Sequence, residues 1–190
     1  MKSKNDILKK LLPVVIIAAA LVVIFYFVVN RQMTTKDAPL SKVQSVLQRD
    51  LKYNYPQSPK AVVKYYAELS QCLYLEENTD DDVKAVGTQM RLLFDEELKA
   101  QQTDAQYMSS LLTTVEQFRQ DSRYIVSFST SSASDVVYVN NDLGELASLY
   151  CMYTMRKEGQ NYSDNERFLL RKDIDGHWKI LGWQPAKDNS

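Results

Sequence analysis

Residues 145–157 read ELASLYCMYTMRK. Ala147, Leu149, Cys151, Tyr153 and Met155 fall on one side of a two-residue period, and Ser148, Tyr150, Met152 and Thr154 on the other. Side chains of an extended chain alternate between faces, so this run predicts a strand. Both of its faces are fairly apolar, which places it centrally in a sheet. Downstream, Glu158-Gly159-Gln160-Asn161 predicts a hairpin turn, Glu166–Lys172 a fourth strand and Trp178–Trp183 a fifth, joined through the tight-turn pair Asp175-Gly176. Upstream, Arg123–Ser129 alternates with Tyr124, Val126 and Phe128 on one side. Ser131–Ser134 reads as a loop and Asp135–Val139 as a short second strand, followed by a turn at Asn140-Asn141-Asp142.

Before residue 123 the period lengthens to that of a helix. Ser41–Leu51 carries Val43, Val46, Leu47 and Leu51 at helical spacing, and Tyr53-Asn54-Tyr55-Pro56 ends it. Ser58-Pro59 is a helix start, with the hydroxyl at the N-cap and proline at the first helical position. Val62, Tyr66, Leu69 and Leu73 share a face there, and Asn78 closes the element. Thr79 and Asp82 predict a capping box, and Val83, Val86, Met90, Phe94 and Leu98 line a single following helix. Thr103 and Gln106 form another box, ahead of Tyr107, Leu111, Val115 and Phe118. Helices followed by an antiparallel meander predict an α+β fold in which the sheet curls over N-terminal helices.

Leu11–Val29 (LLPVVIIAAALVVIFYFVV) is 19 residues without a charge or side-chain amide. At ~1.5 Å per residue this is roughly 28 Å of helix, close to the ~30 Å of a bilayer core. A signal peptide has a shorter apolar core and a small-residue cleavage site. Here Ala18–Ala20 lie mid-stretch and Val29–Met33 is a poor site, so an uncleaved anchor is predicted. Lys2, Lys4, Lys9 and Lys10 precede the span against Arg31 and Lys36 after it, which puts the N-terminus in the cytoplasm and the rest outside the cell membrane. The expected organisation is a tail (1–10), a transmembrane helix (11–29), a linker (30–40) and an extracytoplasmic domain (41–190).

The chain carries 23 basic and 24 acidic residues. Beyond residue 30 there are 19 basic against 23 acidic, a net of −4, with the cations scattered. Phosphate backbones require a concentrated basic face, so no nucleic-acid partner is expected. Cys72 and Cys151 lie in apolar runs (QCLYL and LYCMY) without basic neighbours. Buried thiols are preferred to a disulfide, and neither fits a nucleophile.

Two segments, SPKAVVKYYAELSQCLY and LLRKDIDGHWKILGW, together with the element order, resemble the nuclear transport factor 2-like (cystatin-like) superfamily across about residues 57–185. That resemblance implies a cone: a few helices set into a curved antiparallel sheet. The whole chain also resembles an uncharacterised bacterial family, a single-span anchor followed by a domain of unknown function. Its signatures here are NYPQSPKAVVKYY and LLRKDIDGHWKILGW, and it implies no activity. Catalytic members of the superfamily place an Asp, His or Tyr acid–base pair inside the cone. The only histidine here, His177, follows the Asp175-Gly176 turn and reads as a surface residue.

No metal or cofactor is expected. Asp80-Asp81-Asp82 reads as helix N-terminal carboxylates, and Asp173-Ile174-Asp175-Gly176 lacks the later ligands of a calcium loop. Tyr65, Tyr66, Tyr107, Tyr124, Tyr150, Tyr153 and Trp183 are core candidates, some of which can also line a cavity. Of these, Tyr66, Tyr150, Tyr153 and Trp183 are the expected ligand-binding residues. The leading expectation is a non-catalytic domain, tethered to the membrane, that binds a small apolar ligand or an envelope protein. The alternative is a self-associating scaffold of a secretion, conjugation or sporulation assembly. A cone-type lyase or isomerase ranks third, with Asp135 and Tyr153 as its acid–base candidates.

Overall fold

The structure, a computed structural model, describes residues 41–75 and 78–186. The expected membrane span, its tail and the linker lie outside these residues. Among the described residues no helix is long and apolar enough to cross a membrane. Among the described residues five helices precede the strands: α1 (Lys42–Leu47), α2 (Pro59–Leu73), α3 (Asp80–Arg91), α4 (Glu96–Ala100) and α5 (Asp104–Gln120). Then come β1 (Arg123–Thr130), β2 (Val137–Asn141), β3 (Gly144–Lys157), β4 (Gln160–Lys172) and β5 (Trp178–Pro185). The strands form one antiparallel sheet ordered β1-β3-β4-β5, with β2 also paired to β3. The α+β class expected from the meander is therefore found, and β3 is its central strand.

Capping decides where the helices begin. The Ser58 hydroxyl accepts from the Ala61 amide at 3.2 Å, with Pro59 in the first turn. The Thr79–Asp82 and Thr103–Gln106 boxes are both closed, and a third unites Ser41 with Gln44. The end of α2 is closed by Asn78, whose buried amide donates to the carbonyls of Cys72 (2.7 Å) and Leu73 (3.1 Å). The inner face of β3 is buried throughout, at Ala147, Leu149, Cys151, Tyr153 and Met155. It packs with Phe168 and Leu170 of β4, Ile180 of β5 and the apolar side of α2. The opposite side of α2 is covered by α1 and α3, where the Tyr65 hydroxyl donates to the Val46 carbonyl at 2.8 Å.

Three expectations are corrected. The predicted helix through Leu98 is two helices. Its chain stops at Arg91 because Leu93–Asp95 runs along β5 instead: the Ile180 amide donates to the Leu93 carbonyl and the Asp95 amide to the Ile180 carbonyl, both at 2.8 Å. Tertiary hydrogen bonds with the sheet thus outcompete two more turns of helix. In β1 a bulge lies between Ile125 and Ser127, so Ile125 is buried and Val126, the extra residue, is exposed. The β3–β4 hairpin is longer than predicted, and strand pairing reaches Lys157↔Gln160. Its two turn residues, Glu158 (φ 51°) and Gly159 (φ 82°), both adopt the left-handed conformation that such tight turns require.

The two segments that carried the resemblance meet in space. Tyr55 is buried, donates its hydroxyl to the Trp178 carbonyl at 3.0 Å, and lies 4.4 Å from the His177 ring and 4.2 Å from Lys179 Nζ. His177 is therefore half-buried and packed at a tilt on the Tyr55 ring, not a bare surface residue. Arg171 forks onto the buried Asp95 carboxylate, which also caps α4 through the Glu97 amide. Much of the signature thus serves packing.

Candidate functional site

Alternation along β4 puts Asp164, Glu166, Phe168 and Leu170 on the helix-facing side of the sheet. Glu166 stands opposite Cys151 of β3, and Phe168 stands opposite Trp183 of β5. Above them α2 supplies Tyr66, whose ring centroid lies 5.5 Å from Phe168, 5.4 Å from Trp183 and 6.1 Å from Phe94. Phe94 meets Tyr107 edge-on at 5.8 Å and Trp183 at 5.8 Å. Offset and edge-to-face rings at these separations attract beyond the area they bury. Trp183 remains 40 % exposed and carries the cluster to the surface. There it also lines an open depression of about 390 Å³ with Arg167, Leu169, Leu181, Gly182 and Gln184.

One acidic group, Glu166 of β4, is half-buried beside the cluster, within electrostatic reach of Tyr66. Burial, and after it the neighbouring Asp164 carboxylate, pushes the Glu166 carboxyl up to about 7. No cation among the described residues offsets this shift. Its charge in turn helps to raise the hydroxyls of Tyr66, Tyr74 and Tyr153 and the Cys151 thiol, although burial is the larger cause for each. Tyr74 reaches about 12 and stacks on Phe118 at 4.0 Å. The Tyr153 hydroxyl is buried without a hydrogen bond of ordinary geometry, and the Cys151 thiol is its near polar neighbour. A carboxyl that is uncharged for part of its time, in an apolar aromatic setting, can accept a hydrogen bond or a cation from a bound molecule.

The four residues expected to bind ligand do not all gather here. Tyr66 and Trp183 are in contact, and Tyr153 lies beneath them, buried to 5 % exposure. Tyr150 sits on the other face of the sheet, half-exposed, its backbone tied to Ser131. Asp135 is not an inward acid. It is exposed in a single 3-10 turn, and hydrogen bonds from the Ser132 and Ser134 hydroxyls hold its carboxyl below the usual range. Glu166 is the residue that sequence reading missed. The available signal was its two-residue phase with Phe168 and Leu170.

Asp173, Asp175 and His177 bring ligand-type atoms within 4.8 Å of one another. One Asp173 oxygen already accepts from the amides of Asp175 (3.0 Å) and His177 (2.8 Å), and the other faces Lys179 at 4.0 Å. These contacts explain the group as a loop-closing aspartate. Asp82 likewise belongs to its capping box.

A family model described as a domain of unknown function, DUF6715, matches residues 1–183. No curated protein matches the chain.

Proposed function

The chain belongs to this family of domains of unknown function, and from the geometry we propose that it is a membrane-tethered, non-catalytic binding domain outside a bacterial cell membrane. Its ligand is a small molecule with an apolar or aromatic body and an amine or hydroxyl donor. The body lies against Trp183 and Tyr66, and the donor meets Glu166. The observation that carries this reading is Glu166 itself, an inward carboxyl whose upward shift no cation among the described residues offsets, beside an aromatic cluster that reaches solvent at Trp183. A cation over aromatic faces gains about 0.5–2 kcal/mol, and an adjacent carboxylate adds to that attraction. The order of helices and antiparallel strands supports a place in the nuclear transport factor 2-like superfamily, whose cone would shelter such a site. The apolar run Leu11–Val29 supports the tether. A binding role is preferred to a lyase or isomerase because, among the described residues, no side-chain hydrogen bond pairs Glu166 with a positioned acid or base.

Phenethylamine, which has an aromatic ring and an ammonium group, tests the reading. Saturation-transfer NMR with the full-length protein in nanodiscs is expected to show transfer to the ring protons. E166Q and W183A should each lower it several-fold. Transfer that is equal in wild type and both variants would count against the site.

A further inference from the structure

The outward side of the β4–β5 pair is hollow. Arg167 stands opposite Gln184 and Leu169 opposite Gly182, and Leu181 is the extra residue of a bulge. With Trp183 they line the open depression of about 390 Å³, a size within the ~300–1,000 Å³ of small-molecule sites. Alternation along β4 turns Arg167 and Leu169 to the side of the sheet away from Glu166 and Phe168.

Gly182 keeps this space open. Its φ lies outside the left-handed region, so neither its own backbone nor the neighbouring bulge requires glycine. A methyl group on its Cα would meet no atom within 4 Å. Glycine weakens a strand, and where neither conformation nor crowding demands it, it marks a place that another molecule approaches closely. Arg167 supplies the charge. Its Nη2 donates to the Ser148 hydroxyl at 3.2 Å, and Ser148 is only 7 % exposed. That buried hydroxyl holds one corner of the guanidinium and leaves Nε and Nη1 without a protein partner among the described residues. Among the same residues no ion pair holds Arg167, whereas Arg171 on the same strand is taken by Asp95 and Glu97.

We propose that this depression binds a small monocarboxylate with an apolar or aromatic body. The guanidinium fork matches the two oxygens of a carboxylate, and Gln184 adds an amide donor. The body lies over Gly182, against Leu169, Leu181 and Trp183. The lining holds one cation and no acid, so it balances a single negative charge. The second charge of a phosphate monoester would stand unopposed on a net acidic domain. The site shares Trp183 with the proposed amine site but stands on Arg167 and Gly182, so it does not depend on that reading.

The probe is 3-phenylpropanoate, titrated at neutral pH by saturation-transfer NMR into the full-length protein in nanodiscs, with empty nanodiscs as the blank. Wild type should bind it, and should bind the uncharged 3-phenylpropanamide and the dianionic phenyl phosphate each roughly ten-fold more weakly. R167Q removes the fork, and G182V fills the space without a clash; each should weaken 3-phenylpropanoate roughly ten-fold. E166Q, on the other face of the sheet, should leave its affinity within about two-fold, which separates this site from the fate of the amine site. Equal affinity for the amide or the phosphate, unchanged affinity in R167Q or G182V, or a loss in E166Q would each overturn the proposal. The amide and phosphate arms use wild type, so they decide the matter whatever the variants do to folding.

Discussion

Glu166 ties the proposed binding site to stability through its proton. In the unfolded chain its carboxyl titrates near 4.5, and in the fold near 7. Between those values the folded chain holds more protons, so stability falls as pH rises through this window and stays lower above it. Glutamine keeps the shape and removes the charge. After a discount for partial exposure, E166Q should be more stable than wild type by about 1–2 kcal/mol at pH 8 and nearly equal at pH 4.5. Thermal melts at the two pH values check this, and a variant equally stable or weaker at pH 8 would oppose it. Local sequence did not reveal this residue because its setting is made by other strands and by α2. Asn165-Glu166-Arg167 looks like any polar strand entrance. Only the register opposite Cys151 and the Tyr66 ring above it make Glu166 inward. The place of Trp183 in the final strand was legible from alternation, and the structure sets it opposite Phe168.

At the level of elements, the break between α3 and α4 tests how far tertiary bonds override helical pattern. Met90, Phe94 and Leu98 keep the spacing of one helix, and no glycine or proline interrupts them. The break depends on the edge of β5, which accepts Leu93–Asp95. Asp95 secures it: its carboxylate caps α4, accepts the Arg171 fork and is 5 % exposed. D95A removes the cap and leaves the guanidinium with Glu97 alone, 3.2 Å away. It should cost about 2–4 kcal/mol in urea unfolding at neutral pH. D95N retains a capping oxygen and should cost roughly half as much. Equal losses in the two variants would mean that the cap contributes nothing beyond the charge, and a D95N as stable as wild type would mean the reverse. The other helix ends were legible because their signals are local: Ser58-Pro59 and the Thr79 and Thr103 boxes lie within four residues of what they cap. The β1 bulge was not, since it arises from pairing with β3.

For the molecule as a whole, the α+β order was readable because the period changes once, near residue 123, from helical to alternating. How the sheet and helices join was not readable, because it rests on long-range contacts such as Tyr55 with Trp178 and Asp95 with Arg171. Those contacts all fall within Ser41–Ser190, a compact unit whose first helix opens on its own capping box at Ser41. A domain of about 150 residues buries roughly 70 % of the surface of its unfolded chain, enough to hold a core without help. The segment 41–190 should therefore fold alone, with a single cooperative thermal transition. It should keep the pH response of Glu166, because the groups that carboxyl interacts with, Tyr66, Cys151, Tyr153 and Asp164, all lie within it. A segment that melts without cooperativity would show that residues 1–40 belong to the folding unit, and that the strand edges need more than their own helices to hold register.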